Sequence, residues 1–488
     1  MTGSLAASVR SAVIWRSGSQ IVAQLVAWGS TLAVVRILDP ADYGLFALTQ
    51  VVLAFLSFLN GYGFASSLIQ EREIDRQKIR QGFGLLLLVN AGIALIQLAL
   101  APLAAAWYRQ PQVAELLQVQ ALIFLATPFI ALPEVLLMRE MDFRKPAIVN
   151  LIATAISASV ALGCALSGFG VWTLVYAPIA FFWSRAIGLT LAARFFVLPS
   201  FRFTGAGRML GYGLTILGSH LFWTVVTQSD VFIASRSLDP HALGLYAEAL
   251  FLTTIVASKF VPPLNEVAFP AYARLQDDRP VLSAAFLKAV RLIMLATCPL
   301  YFGLAIVAHD AVLVVLGAKW IAMAPLVSIL ALAMPALTLH ILFAPAVNAV
   351  GRPRITMQAS LVGALVMPAA FLLAIGWGAP GLAWAWLLAF PLVPLYAFLR
   401  SRGPLGISAA DLGRAIAPGL GAGAAMALPV MALSAALEGW DSWGRLLLLM
   451  AAGGLAYTAI LYLFSRATLL ELAALAARRP SPAAEAAE

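Results

Sequence analysis

Apolar residues run through this sequence in blocks of roughly 20 to 30, cut by short polar segments that hold most of the Arg and Lys; a helix crosses a hydrocarbon layer about 30 Å thick in about 20 residues. Each block therefore predicts one membrane span. Fourteen are predicted, over residues 12–38, 44–69, 80–107, 113–138, 146–167, 171–195, 209–235, 243–267, 283–308, 321–349, 355–376, 380–399, 411–437 and 444–465. The expected fold class is an all-α integral membrane protein. The first block is longer than the apolar core of a leader peptide and lacks a small-residue cleavage site, so it predicts a span.

Charge placement gives the expected orientation. Alternate connections hold Arg10; Arg72, Arg76, Lys78 and Arg80; Arg139, Arg144 and Lys145; Arg194, Arg202 and Arg208; Arg274, Arg279, Lys288 and Arg291; Arg352 and Arg354; Arg400, Arg402 and Arg414; and Arg466, Arg478 and Arg479. The opposite set holds only Arg36, Arg109, Arg236, Lys319 and Arg445. Lys and Arg collect in short cytoplasmic loops, so the first set predicts the cytoplasm and places both termini there.

The polar segments also repeat. "RILDPADYGLFA", from Arg36, returns as "RSLDPHALGLYA", from Arg236. In each copy Leu-Asp-Pro stops one helix and starts the next, because Pro cannot continue a helix and Asp caps the one that follows. Arg36, Asp39, Pro40 and Gly44 thus form a structural turn motif matched by Arg236, Asp239, Pro240 and Gly244. Fainter matches pair Gly168, Gly170 and Leu174 with Gly376, Gly378 and Leu382. Six spans separate the copies, an even number, so both enter from the same side: a parallel duplication about an axis along the membrane normal. The expected organisation is an N-terminal lobe over 1–208, a C-terminal lobe over 209–402, two further spans within 403–477, and a disordered polar tail over 478–488. Prolines inside most spans predict bent helices.

Composition agrees: 62% of the 488 residues are hydrophobic and 11% charged, which excludes a water-soluble fold. The net charge of +9 does not point to nucleic acid, since the cations sit in clusters between apolar runs. Cys164 and Cys298 lie inside apolar runs and read as packing residues, offering neither a disulfide framework nor a metal-ligand spacing.

With these motifs assembled, the chain resembles the Wzx-type polysaccharide flippases, in the superfamily that also holds multidrug antiporters and the peptidoglycan-precursor flippase. The likeness is carried by "RILDPADYGLFA", by "REMDFRKPAIVNL" (Arg139 to Leu151) and by "GFGVWTLV" (Gly168 to Val175). It implies two six-helix lobes around a central cavity, alternating access, and an undecaprenyl-diphosphate-linked oligosaccharide carried from the cytoplasmic to the outer leaflet of the bacterial inner membrane for surface polysaccharide synthesis. Implied partners are that lipid-linked oligosaccharide, membrane lipids and the polymerase or export machinery.

Ionisable groups at membrane depth cost at least about 2.5 to 3.5 kcal/mol and so face a cavity or a partner. Arg16, Arg185 and Lys259 are the candidate cavity cations for the diphosphate. The competing readings are snorkelling of Arg16 to the headgroups and ion pairs within a lobe for Arg185 and Lys259. Glu248, Leu252, Ile255, Lys259 and Glu266 share a helix face, with Pro262 and Pro263 between Lys259 and Glu266. Glu248, Asp230, His220 and His340 are the candidate coupling groups, since a histidine titrates near neutrality and burial can raise a carboxylate toward it; the alternatives are a packed, satisfied side chain for the histidines and an interhelical salt bridge for Glu248. No cofactor is expected. There is no G-x-x-x-x-G-K-[ST] phosphate loop, and one uncompensated negative charge moving outward gains about 2.3 kcal/mol per 100 mV. Membrane potential, H⁺ or Na⁺ remain the coupling sources. The rival readings are a multidrug or cation antiporter on the same fold, a membrane-embedded polymerase or ligase, and a non-transporting scaffold. The expected external loops are too short for a sugar-binding domain, against the enzyme.

Overall fold

The computed structural model describes residues 2–59, 76–140, 142–201 and 207–464, with the side chains of 2–17, 207–220, 260 and 464 outside the description. The end of the second expected span and the 478–488 tail therefore lie outside the described residues. All regular structure among the described residues is helical. Hydrocarbon offers no partner for backbone N–H and C=O groups, and a helix satisfies its own.

The helices are α1 (Thr2–Ile37), α2 (Pro40–Ser57), α3 (Arg76–Tyr108), α4 (Gln112–Gln120), α5 (Leu122–Ala126), α6 (Pro128–Arg139), α7 (Arg144–Leu166), α8 (Trp172–Ala192), α9 (Gly207–Ala234), α10 (Pro240–Arg274), α11 (Arg279–Val315), α12 (Ala324–Ala349), α13 (Pro353–Ala374), α14 (Gly378–Ala389), α15 (Leu392–Leu405), α16 (Ala409–Ala436) and α17 (Ser442–Phe464). Proline starts several of them, at Pro40, Pro128, Pro240 and Pro353, where its missing N–H has no helical partner to lose.

Twelve stretches among the described residues are long and apolar enough to cross a membrane, against the fourteen expected. Two places account for the difference. Residues Pro353–Leu405 count as one stretch of 53 residues, yet a short 3-10 turn, Ile375–Trp377, interrupts it and α13 packs against both α14 and α15. A straight helix of that length would measure about 80 Å, far beyond one crossing, so the stretch folds back. In α9 the apolar part with described side chains, Leu221–Ala234, is short.

The expected span 113–138 is broken into α4, α5 and α6. Pro128 has no N–H to give, and the chain tightens around it, with Thr127 N donating to Phe124 O. Side chains of α8 repair the interruptions: Trp183 Nε1 donates to Leu122 O at 3.2 Å, and Thr190 Oγ1 to Phe129 O at 3.4 Å. Other prolines, including Pro102, Pro178, Pro299 and Pro368, sit inside continuous helices.

The chain packs as two compact units, Met1–Ala247 and Glu248–Glu488. The packing boundary falls inside α10 rather than at the expected 208/209, because α2 packs on α9 and the start of α10 meets the start of α2. In the first unit α7 lies along α1 and α8, while α3 carries α4, α5 and α6. Its core includes Phe83, Leu86, Leu132 and Phe195, with Phe83 edge-on to Phe129 and Phe195. In the second unit α11 is the central helix, contacted by α12, α16 and α17.

Spans thirteen and fourteen, which lie outside the sequence duplication, dock on α11 through small residues. A Cβ on Gly419 would press the Met294 backbone at 2.8 Å, and one on Gly423 the Phe302 ring at 2.9 Å. Tyr457 donates to Leu295 O at 2.7 Å, and Arg445 reaches Asp310 at 3.4 Å and Ser434 Oγ at 2.8 Å. Cys164 is half-buried and Cys298 buried, both free thiols.

Candidate functional site

The repeated turn begins with a helix stop. α1 ends at Ile37, Asp39 takes an extended conformation (φ −93°, ψ 153°), and α2 starts at Pro40. Asp42 closes the turn by accepting from Asp39 N at 3.1 Å. In the second copy Asp239 accepts from Ala242 N at 2.8 Å and α10 starts at Pro240. Both are N-caps that remove orphan donors from a helix start.

The two turns meet, within the first unit. A Cβ on Gly44 would overlap the Pro240 carbonyl, and a Cβ on Gly244 would overlap the Pro40 carbonyl; the built Cβ of Gly44 also falls 3.0 Å from Gly244 N. The obstacle is backbone on both sides, so no rotamer relieves it and glycine is required at both positions. The contact is reciprocal, first glycine to second proline and second glycine to first proline, as a twofold relation demands. A further glycine lies against the first turn, since a Cβ on Gly170, at φ +53°, would fall 3.0 Å from Asp42 Oδ1. Gly170 and its repeat partner Gly378 both adopt positive φ, +53° and +70°.

Arg236 fixes the second turn. Its guanidinium lies 4.8 Å above the Trp107 ring and donates to Trp107 O at 3.3 Å, and Trp107 stacks on Phe232 at 5.3 Å. A cation over an indole face is attracted by the ring quadrupole. Arg36 is exposed at the end of α1.

The three expected cavity cations part company. Arg16 lies outside the residues whose side chains are described. Arg185 on α8 is paired with Glu134 on α6 at 2.6 Å, each side chain about one-fifth exposed (22% and 23%). Its Nε is buried without a hydrogen bond. Arg185 is thus held in an ion pair within the first unit, the alternative named for it above, and not as a free cavity cation. Lys259 on α10 is exposed, with no ion pair among the described residues. Glu266 is also exposed, and Asn265 beside it donates to Ile341 O at 3.1 Å.

The four candidate coupling groups are equally divided. His220 lies outside the described side chains. Asp230 is fully buried and accepts from the Tyr246 hydroxyl at 2.8 Å. Glu248 is 7% exposed, and among the described residues no hydrogen bond or ion pair holds its carboxylate. His340 is buried edge-on to Phe390, at 5.9 Å, and lines a cavity of about 20 Å³ with Thr356 and Phe343, room for one water.

Glu134, Trp107 and Phe232 were not singled out from sequence. Glu134 carried a usable signal, a carboxylate inside a predicted span, which by the cost of burying charge demands a partner. Outside the spans, Asp142 follows α6, where Lys145 pairs with it at 2.8 Å. Partial burial pushes its carboxyl up, but the Lys145 side-chain and backbone hydrogen bonds outweigh this and hold it below the usual carboxylate range.

The model of the family described as "Polysaccharide biosynthesis protein" matches residues 33–325, a stretch that contains both turns. The chain belongs to that family. The succinoglycan biosynthesis transport protein ExoT of Rhizobium meliloti is 27% identical over 333 residues, 68% of this chain and 67% of that protein. The lipopolysaccharide biosynthesis protein WzxC of Escherichia coli is 24% identical over 301 residues, 60% of each. In fold, this chain is similar to the lipid II flippase MurJ in an inward closed conformation, with a TM-score of 0.75 at 12% identity, covering 93% of this chain and 99% of that one. A multidrug resistance transporter of the MATE family, inward-facing, gives 0.62 at 13% identity over 81% of this chain and 98% of that one. The chain is therefore a multi-pass membrane protein with the helical fold seen in those two solved structures.

Proposed function

We propose that this protein is a flippase that carries a lipid-linked oligosaccharide, on an undecaprenyl diphosphate, from the cytoplasmic to the outer leaflet of the bacterial inner membrane for surface polysaccharide synthesis. The observation that carries the reading is that a polysaccharide-biosynthesis family match spanning both turns coincides with a fold shared over almost the whole chain with a lipid flippase. A relative named as a transport protein points the same way.

In this reading Lys259 and Arg16 are each candidate cations for the diphosphate, since a charge-assisted bond to phosphate is stronger than a neutral one. The paired turns form a contact on the outer side that breaks when the cargo leaves outward. Both termini are cytoplasmic, by the Arg and Lys bias. No catalytic step is needed, because the potential favours outward movement of a residual negative charge by about 2.3 kcal/mol per 100 mV.

The test is reconstitution in vesicles with a fluorescent undecaprenyl-diphosphate oligosaccharide. Transbilayer movement is expected, and Lys259→Ala and Arg16→Ala are expected to lose it at normal protein abundance, with Lys259→Arg doing less harm. Transport of a cationic dye in place of the lipid would establish the antiporter reading instead. New glycosidic linkages in the product would establish a polymerase or ligase.

A further inference from the structure

The chain that leaves α8 toward the second copy of the repeat does not turn away from the protein. At Arg194, φ +48°, it turns and runs as an irregular segment along the start of α3. Phe195 N donates to Thr190 O at 2.9 Å, Ser200 N donates to Arg80 O at 2.8 Å, and Arg80 Nε donates to Leu198 O at 3.1 Å. Gly84 gives Ser200 its room, because a Cβ there would overlap the Ser200 carbonyl. Residues 194–201 are therefore a strap pinned to α3, with key backbone groups already satisfied by protein.

Buried or half-buried side chains alternate with exposed ones from Phe195 to Leu198, and both sets are apolar. Phe195 and Val197 face inward onto Phe83, Leu86 and Leu132. Phe196 and Leu198 face outward at 73% and 75% exposure, and Phe201, past Pro199 where the alternation ends, is 55% exposed. A polar outer face is the rule for a loop in water. Three large apolar side chains projecting from a strap whose backbone is hydrogen-bonded suit the boundary between headgroups and acyl chains. The charge fits as well. Arg80 and Arg194 are exposed beside the strap, and the sequence from 194 to 210 holds Arg194, Arg202 and Arg208 with no carboxylate. Glu71, Glu73 and Asp75 precede α3 outside the described residues, and Arg80 and Arg194 are the two described cations that border the strap.

We propose that the strap 194–201 is an interfacial anchor for anionic phospholipid, with Phe196, Leu198 and Phe201 inserted at the headgroup boundary and Arg80 and Arg194 holding headgroup phosphate. Its assignment to the cytoplasmic leaflet rests on the orientation proposed above; its lipid contact does not. The anchor holds in the plane of one leaflet the segment that joins the two copies of the repeat. It also makes the protein responsive to the anionic lipid content of that leaflet.

Two measurements test this on the full chain in vesicles of phosphatidylethanolamine with and without phosphatidylglycerol. A nitroxide on Leu198→Cys, with Cys164→Ser and Cys298→Ser, is expected to collide with oxygen in preference to a water-soluble nickel chelate, as at the acyl boundary. Aqueous accessibility at that position would overturn the anchor. Affinity for phosphatidylglycerol is expected to fall about fivefold for each of Arg80→Gln and Arg194→Gln. Unchanged affinity in the double variant, or competition by inorganic phosphate at equal concentration, would overturn the headgroup assignment. The label reads depth without transport, so an inactive flippase leaves this test standing. A reporter fusion at Arg202 separately reads the side.

Discussion

The two copies of the turn begin alike and are supported differently. The first closes on itself, with Asp42 bonded to Asp39 N and packed near Gly170. The second has Ala242 where the first has Asp42, so it lacks that bond; Asp239 caps Ala242 N, and Arg236 leans on Trp107. The copies share an Arg, two Leu, the Asp, the Pro, the Gly and an Ala, and the Pro and the Gly are the residues with which each touches the other. A twofold contact constrains both partners at the axis, whereas the flanks meet different neighbours and are free to diverge.

The strongest challenge to this comparison is at the axis. Gly44→Leu and Gly244→Leu are each expected to abolish polysaccharide export, and the double variant to be no worse than either, because both remove one shared contact. Full export in one single variant beside loss in the other would show that the contact is not used reciprocally. Smaller effects are expected at the caps. Asp42→Ala and Asp239→Ala should each cost about 1 kcal/mol of stability, read as a lowered midpoint of thermal unfolding in detergent. Equal shifts would mean that each turn is independently capped.

The smallest effect separates the flanks. Arg236→Gln should lose about 0.5 to 1 kcal/mol, and a double-mutant cycle with Trp107→Leu should show that this energy resides in the pair. Additive losses would remove the clamp from the second turn. Arg236→Lys should keep part of it, since an ammonium retains the charge but not the planar fork.

The frame of this fold was readable because hydrocarbon imposes it: long apolar runs, clustered cations and helix-stopping Asp-Pro pairs all follow from the solvent. The duplicated turn was legible for the same reason, and its glycines were visible as repeated residues. Their meeting was not, because a sequence shows that two residues recur, not that they touch. The Arg185–Glu134 pair spans 51 residues and two helices, beyond any periodicity along one helix. The interruptions of α4 to α6 were masked by hydropathy, which averages over just the window in which Pro128 and the donors Trp183 and Thr190 act. The packing units were not legible because counting spans divides a chain by crossings, while side-chain contact divides it by which faces meet.

The clamp between Asp310 and Arg445 bears on how the protein is made. Asp310 is 3% exposed, and the guanidinium that neutralises it lies 135 residues later in the chain. During synthesis the carboxylate of α11 enters the bilayer long before its counter-ion leaves the ribosome. The second unit therefore matures only when α17 arrives, while the first has its whole sequence in hand by residue 247. A truncated product lacking α17 would present an unneutralised acid in the membrane, giving the cell's membrane proteases a chemical mark by which to tell unfinished chains from complete ones.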